Sequence, residues 1–174
     1  MKKKNLIIIL SVVAVLAIVI GISAFLNSNS ARERKEQQDD AYIVIKRDGE
    51  ELASIDMEYI SSINEIDFQA YKDTSETEPE SYHYTGVELI KVLDSLEIGL
   101  DGIETVTVRA LDGYTVIFDV SEVEDEENMY IIYKSDGQYL KNKSEGGSGP
   151  YQMIVRNDPY SQRWCKFVME IDLQ

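Results

Sequence analysis

The sequence predicts one mixed, mainly antiparallel α+β domain behind a single N-terminal transmembrane helix. Three features of the chain carry this prediction. An apolar run extends from Leu6 to Leu26, alternating segments beyond residue 41 are separated by Asp-Gly turns, and two segments have the apolar spacing of short helices. Consecutive hairpins combined with a few helices are typical of α+β domains, because antiparallel strands pair with their neighbours in sequence.

The apolar run is the predicted membrane anchor. It follows three lysines at residues 2–4 and is interrupted only by Ser11, Gly21 and Ser23. About 21 residues are enough to cross a hydrocarbon core of about 30 Å, and the run has neither the polar stripe of a core helix nor a small-x-small cleavage site. We therefore predict a transmembrane helix over residues 5–26, with a cleaved signal peptide as the alternative.

Basic residues on the two sides of the run indicate its orientation, because lysine and arginine resist translocation. The cluster at residues 2–4 abuts the run, whereas Arg32, Arg34 and Lys35 lie several residues beyond it. This difference predicts a cytoplasmic N-terminus at residues 1–4. The protein is then a single-pass protein of the cell membrane whose C-terminal domain is extracellular.

A polar linker is predicted over residues 27–40 and the extracytoplasmic domain over residues 41–174. The domain has 11 basic and 28 acidic residues, which gives it a formal charge of −17. Such a surface repels phosphate backbones, so nucleic acid is excluded as a partner. The lone cysteine, Cys165, excludes an internal disulfide and a multi-cysteine zinc site, and the alternating strand that contains it predicts a buried thiol.

Short alternating segments predict eight or nine strands. Hairpins are expected to turn at Asp48-Gly49, at Asp112-Gly113 and at Asp136-Gly137. In each of them glycine supplies the positive φ that a tight turn requires. Further strands are predicted in EIDFQAYK, in YQMIVR and in the last segment, WCKFVMEIDL, which we expect to form one continuous strand.

Two helices are predicted among these strands. Asp56 is a suitable N-cap for MEYISSI, and Thr85 is one for a helix whose apolar residues recur at spacings of three and four before Gly99. The polar segment from Lys72 to Ser81 is expected to be a loop. The acidic run from Glu122 to Glu127 lacks the ligand spacing of a calcium loop and is expected to be a solvated turn.

Five short motifs follow one another along the domain. They are YTGVEL, LDGYTV, YKSDGQYL, Gly149-Pro150 and RWCKFVMEIDL. Together they resemble the oxidoreductase molybdopterin-binding domain of the sulfite oxidase family, in which an aromatic-x-Gly-Val-x-Leu opens a helix, Asp-Gly-Tyr turns a hairpin and a Gly-Pro loop approaches the cofactor. The resemblance covers about residues 42–173 and implies a sulfite-oxidase-like fold.

The resemblance also implies a molybdopterin cofactor, but this chain departs from the family where the cofactor is bound. The family's enzymes hold molybdenum through a cysteine in a Cys-x-Gly-Asn-Arg-like segment before the Tyr-x-Gly-Val motif. Here Phe68, Gln69 and Ala70 occupy that position, and Gln152 stands where the family has an arginine after its Gly-Pro loop. We therefore predict no metal ligand, no catalytic residue and no bound cofactor.

The resemblance places the mouth of the cofactor pocket near His83, for which an exposed or capping imidazole is the structural alternative. Arg109 is expected to pair with a carboxylate, with a role as the polar anchor of a ligand as the alternative. The glycine-rich segment from Ser144 to Tyr151 lacks the P-loop and Rossmann patterns, and a flexible lid is one interpretation of it. The candidate ligand-binding residues are His83, Tyr84, Arg109, Asp112, Tyr114, Gly149, Pro150 and Tyr151.

Three functions are consistent with the sequence. The first is a non-catalytic, membrane-anchored module that binds a small molecule, neutral or weakly anionic, or a cell-surface partner protein. The second is a molybdopterin-dependent oxidoreductase with an atypical metal site, and the third is a structural cell-surface domain. The missing cysteine favours the first function, because a molybdenum centre of this family requires a thiolate ligand.

Overall fold

The computed structural model describes residues 10–25, 40–75 and 77–174. The chain divides into two units, Met1–Glu36 and Gln37–Gln174. In the first unit, residues 10–25 form a helix, α1. None of the helices within the described ranges has the length and apolar character that a membrane span requires. Both ends of the predicted span and residues 27–39 of the predicted linker lie outside those ranges, so the anchor remains a prediction.

The described part of the second unit contains eleven strands, three short helices and two 3-10 helices. In chain order these elements are β1 (Tyr42–Arg47), β2 (Glu50–Asp56), α2 (Met57–Ser62), β3 (Ile66–Thr74), β4 (Thr77–Glu88), α3 (Leu89–Ser95), β5 (Thr105–Ala110), β6 (Thr115–Asp119), α4 (Val120–Glu124), β7 (Met129–Ser135), β8 (Gln138–Tyr139), the 3-10 helix Lys143–Glu145, β9 (Gln152–Val155), the 3-10 helix Ser161–Arg163, β10 (Cys165–Lys166) and β11 (Val168–Leu173).

The strands form two sheets. The first sheet has the order β2-β1-β11-β5-β6, and the second has the order β10-β9-β7-β4-β3, with β8 paired to β7. The pairing of β1 with β11 is parallel. The other ladders between these strands are antiparallel. The predicted mixed, mainly antiparallel α+β architecture is therefore confirmed.

All three predicted hairpins are present, because each depends on a turn that adjacent residues specify. The turn glycines Gly49, Gly113 and Gly137 have φ angles of 82°, 88° and 75°. These left-handed conformations favour glycine. The predicted cap of α2 is also present, since the Asp56 side chain accepts a hydrogen bond of 2.8 Å from the backbone N–H of Tyr59.

The polar segment from Lys72 to Ser81 is not a loop. Strand β3 continues to Thr74 and β4 begins at Thr77, so the two strands form a long hairpin. Sequence reasoning missed it because the outward-facing residues of this hairpin are polar. Thr85 accordingly caps no helix. It lies within β4 and donates a hydrogen bond of 2.6 Å to Asp67, and the helix begins only at Leu89.

The last segment forms two strands instead of the predicted one. Phe167 has a φ of 56°, and this left-handed turn separates β10, in the second sheet, from β11, in the first. The break changes which side chains are buried. Unbroken alternation from a buried Cys165 would place Val168 and Asp172 on the polar face, but they are 1 % and 2 % exposed. The predicted burial of Cys165 is confirmed, because its exposed fraction is 0 %.

Side chains of both sheets belong to one hydrophobic core. Fully buried residues of the first sheet include Ile43, Val108 and Ile171, and those of the second include Ile131 and Met153. Burial of one such side chain contributes about 1.5–3 kcal/mol to stability. The core therefore holds the strands of both sheets in place. It thereby positions the side chains of the second sheet that form the candidate site.

Candidate functional site

Only one predicted site residue of strand β4 faces a pocket. His83 is exposed, and its Nδ1 lies 3.9 Å from the Asp136 carboxylate. Tyr84, the next residue, is 5 % exposed and forms an edge-to-face contact with Trp164, with 5.9 Å between ring centroids. Alternation along the strand explains the difference, because neighbouring side chains point to opposite faces of a sheet.

Arg109 lies in the first sheet, where its guanidinium contacts two carboxylates of the neighbouring strand β11. One is Glu170 and the other is Asp172, at 3.3 Å. The Asp172 side chain is 3 % exposed, so Arg109 neutralises a buried charge. The structure thus places Arg109 in the ion-pair arrangement that the sequence left open beside a ligand-anchoring role.

Asp112 and Tyr114 stabilise the hairpin between β5 and β6. The Asp112 carboxylate accepts a hydrogen bond of 3.1 Å from the backbone N–H of Tyr114 and lies 3.4 Å from Lys143 Nζ. The Tyr114 hydroxyl donates to the carbonyl of Gln162 at 2.7 Å. These contacts tie the hairpin to later segments of the chain.

Gly149, Pro150 and Tyr151 lie beside the pocket. The Gly149-Pro150 peptide is cis. A Cβ atom on Gly149 would lie 2.5 Å from the Cβ of Leu140, so only glycine fits this approach. Tyr151 is fully buried and donates a hydrogen bond of 2.7 Å to the carbonyl of Ala41, which makes it a core residue.

A pocket of about 240 Å³ lies on one face of the second sheet. The pairing of the strands explains which residues line the pocket, because residues directly opposite each other in antiparallel strands have side chains on the same face of the sheet. Tyr84 is opposite Ser135, and Gln152 is opposite Lys166. The loop after the first 3-10 helix closes the pocket. The lining residues are Lys72, Tyr82, Tyr84, Ser135, Leu140, Gly146, Gly147, Ser148, Gln152 and Lys166.

Two polar side chains of this pocket are buried without a partner. Tyr84 and Gln152 are each 5 % exposed, yet neither the tyrosine hydroxyl nor the side-chain amide forms a hydrogen bond within the described part of the chain. Their polar atoms retain accessible surface, which the pocket provides. Burial raises the pKa of the Tyr84 hydroxyl above its usual value, so the group is protonated and can donate.

A larger and more open depression of about 610 Å³ lies beside α4. Three of its charged groups already pair with one another, since Arg163 contacts Glu122 and Asp158. The Asn157 amide likewise donates to Asp125 at 2.8 Å. We therefore place the candidate site in the smaller pocket, where the polar groups remain available to a ligand.

The donor set of the pocket does not fit a molybdenum centre. Ala70 lies opposite Tyr82 in the ladder, on the face that carries the pocket, and offers no ligand atom where the family resemblance implies a cysteine. Cys165 does not line the pocket, and burial raises its pKa to about 12, which keeps the thiol protonated. In the described ranges, no three His, Cys, Asp or Glu side chains are grouped to hold a metal ion.

The candidate residues from the sequence included Tyr84 but not the other six polar residues of the pocket, Lys72, Tyr82, Ser135, Ser148, Gln152 and Lys166. A signal for Lys72 was present, because it continues the inward alternation of Phe68 and Ala70 along β3. Lys166 carried no such signal. Its place in the pocket depends on the break at Phe167, which turns β10 into the second sheet.

Comparison with solved structures supports the fold expected from the motifs. The chain is similar to the crystal structure of the sulfane dehydrogenase SoxCD from Paracoccus pantotrophus, with a TM-score of 0.63 and 14 % sequence identity. The match covers 79 % of this chain and 38 % of that chain. The domain thus has a fold similar to that of part of this sulfane dehydrogenase structure. No family model and no curated protein matches the chain.

Proposed function

We propose that this chain is a membrane-anchored, extracytoplasmic domain of the oxidoreductase molybdopterin-binding fold that binds a small molecule without catalysing a reaction. The observation that carries the proposal is the pair of polar groups of Tyr84 and Gln152, which open onto the pocket and form no hydrogen bond within the described residues. A ligand that accepts from the hydroxyl and the amide would exchange their contacts with solvent for direct hydrogen bonds.

The chemistry of the lining supports binding over catalysis. The lining includes no carboxylate or imidazole to activate the Ser135 or Ser148 hydroxyl as a nucleophile, and no thiol to ligate a metal. The glycine-rich loop is also held in place, since Gly147 and Gly149 donate to the carbonyls of Asn142 and Lys141 at 3.0 and 2.9 Å. These bonds favour a fixed wall over the lid that the sequence suggested.

A molybdopterin-dependent oxidoreductase is the second candidate function, and the likeness to the SoxCD structure favours it. The absence of a thiolate on the pocket face opposes it, as does the neutral Gln152 in place of an arginine. The membrane is part of the proposal because the apolar run from Leu6 to Leu26 is long enough to cross a bilayer.

Metal analysis of carbonate-washed membranes tests this function. We expect full-length protein prepared from its own cells to remain in the washed membranes and, once purified, to contain far less than one molybdenum or tungsten atom per chain. Release into the supernatant would contradict the anchor. Near-stoichiometric metal would contradict the non-catalytic role and establish the second candidate.

A further inference from the structure

The pocket carries positive charge in a domain whose net charge is −17. Lys72 lies on β3 and Lys166 on β10, and these are the first and last strands of the second sheet. Both lysines line the pocket. The two charges therefore flank it from opposite edges of the sheet.

Six of the eleven basic residues of the domain have carboxylate partners, and Lys72 and Lys166 are among the five that have none in the described residues. Neither Lys72 nor Lys166 forms an ion pair with any described residue, and the Lys72 ammonium instead lies 5.9 Å from the ring centroid of Tyr82. Carboxylate partners are present for Lys46, Arg109, Lys134, Lys143, Arg156 and Arg163. In so acidic a domain, two unpaired lysines around one cavity indicate a site prepared for negative charge from outside the chain.

Hydrogen-bond donors lie between the lysines. The Tyr84 hydroxyl and the Gln152 amide are two of them, and the Ser135 hydroxyl is a third without a partner in the described residues. Ser148 adds two more donors, its hydroxyl and its backbone N–H. Within the described residues, the only hydrogen bond of Ser148 is the one that its carbonyl accepts from the Phe167 N–H. Donors of this kind bind oxygen atoms, and they bind charged oxygens most strongly.

The nearest acidic side chains do not enter the pocket. Glu80 accepts a hydrogen bond from the Tyr82 hydroxyl, and Asp136 accepts one of 3.2 Å from the backbone N–H of His83. Neither carboxylate is among the lining groups. The apolar part of the lining consists of the Tyr82 and Tyr84 rings and Leu140, which offer a surface for an uncharged body.

We propose that the pocket binds a small organic anion, with its carboxylate, phosphate or sulfonate group between Lys72 and Lys166 and its apolar body against the tyrosine rings. The volume of about 240 Å³ limits this ligand to less than the size of a drug molecule, for which pockets measure about 300–1,000 Å³. The inference rests on the proposed small-molecule function and assigns the class of molecule.

Calorimetric titration of the purified full-length protein tests the ligand class with four probes: benzoate, phenyl phosphate, benzamide and benzyl alcohol. We expect the two anions to bind at least about tenfold more tightly than the two neutral molecules. Lys72→Gln and Lys166→Gln should each weaken anion binding by about fivefold or more, and so should added salt. Lys91→Gln, which removes the same charge from α3 outside the pocket, should leave the affinity unchanged.

Each other outcome overturns a defined part of the proposal. One such outcome is that the neutral probes bind as tightly as the anions and that a bulky side chain at Ser135 blocks this binding. It would overturn the assignment of an anionic ligand and leave the small-molecule function intact. If Lys91→Gln weakened anion binding as much as the two pocket variants, the effect would come from the net charge of the domain. This result would overturn the proposed site. No binding of any probe in the pocket would overturn the inference and the proposed function together.

Discussion

Gly86→Ala is expected to lower the free energy of unfolding by about 3 kcal/mol or more, because strand β4 has no room for a methyl group at this position. A Cβ atom there would lie 2.7 Å from the Cα of Ile132 and 2.9 Å from its Cγ2, and would also meet the carbonyl oxygen of Ile131. These neighbours belong to β7, which lies inside the second sheet. Backbone in that position cannot withdraw without breaking ladder hydrogen bonds.

The matched control is Gly99→Ala. A Cβ atom on Gly99 would have nothing within 4 Å, and its φ is not positive. This variant should keep the wild-type stability or gain about 0.5 kcal/mol from a less flexible unfolded chain. Urea unfolding followed by the fluorescence of Trp164 measures both variants. Equal midpoints for the two would show that the contact between β4 and β7 is less close than described.

Arg163→Met is expected to cost about 2 kcal/mol at neutral pH. The guanidinium contacts Glu122 Oε1 at 2.7 Å and Asp158 Oδ2 at 2.8 Å, and it lies 5.1 Å from the ring centroid of Phe118. It thereby joins α4 to the second 3-10 helix. Because the Arg163 side chain is 38 % exposed, solvent screens the pair, and the cost is below that of breaking a fully buried one.

The cost of Arg163→Met should depend on pH. The hydrogen bond from Arg163 lowers the pKa of Glu122 in the folded protein. A lowered folded pKa stabilises the protein above the unfolded value of about 4.3, and this contribution is lost as the pH falls through the folded pKa. The difference between wild type and variant should therefore be largest near pH 7 and shrink below about pH 4.

Lys143→Met is the control for this experiment. Its ion pair with Asp112 spans 3.4 Å between side chains that are 46 % and 35 % exposed, so the loss should stay below about 1 kcal/mol. Urea unfolding at a series of pH values compares the two variants. A cost for Arg163→Met that does not change with pH would assign the effect to lost packing on Phe118.

The parts of the fold that the sequence predicted correctly are those that local chemistry decides. An Asp-Gly pair favours a tight turn whatever surrounds it, and the Asp56 carboxylate caps α2 through a residue three positions away. The alternating apolar residues of β6 needed only a core on one side, since Val116 and Phe118 are buried and the residues between and beside them are exposed.

The errors arose where distant residues decide the structure. The outward-facing residues of the β3–β4 hairpin are polar, so its composition resembles that of a loop. The hairpin forms because the backbones of the two strands pair with each other. The left-handed turn at Phe167 contains no glycine, so the sequence does not indicate a turn there. For Arg109 the sequence favoured an ion pair but could not identify its partners, and only the register with β11 shows that Glu170 and Asp172 lie beside it.

The pocket combines both kinds of residue. Its glycine-rich loop was recognisable in the sequence, whereas the two lysines come together only when the edge strands β3 and β10 are folded. Lys72 lies in a segment that was predicted to be a loop, and Lys166 in one that was predicted to be a single strand with β11. The sequence could not bring these two lysines to one pocket, because their positions depend on the register of the strands.

The most direct test of the pocket is to identify the small molecules released from full-length protein on denaturation, after purification from its own cells. Wild type should release one small organic molecule that Ser135→Phe, which fills the pocket, does not release. Ser121→Phe, an exposed serine of α4 outside the pocket, should release as much as wild type. Equal release from wild type and Ser135→Phe, or no released molecule from wild type, would contradict the account.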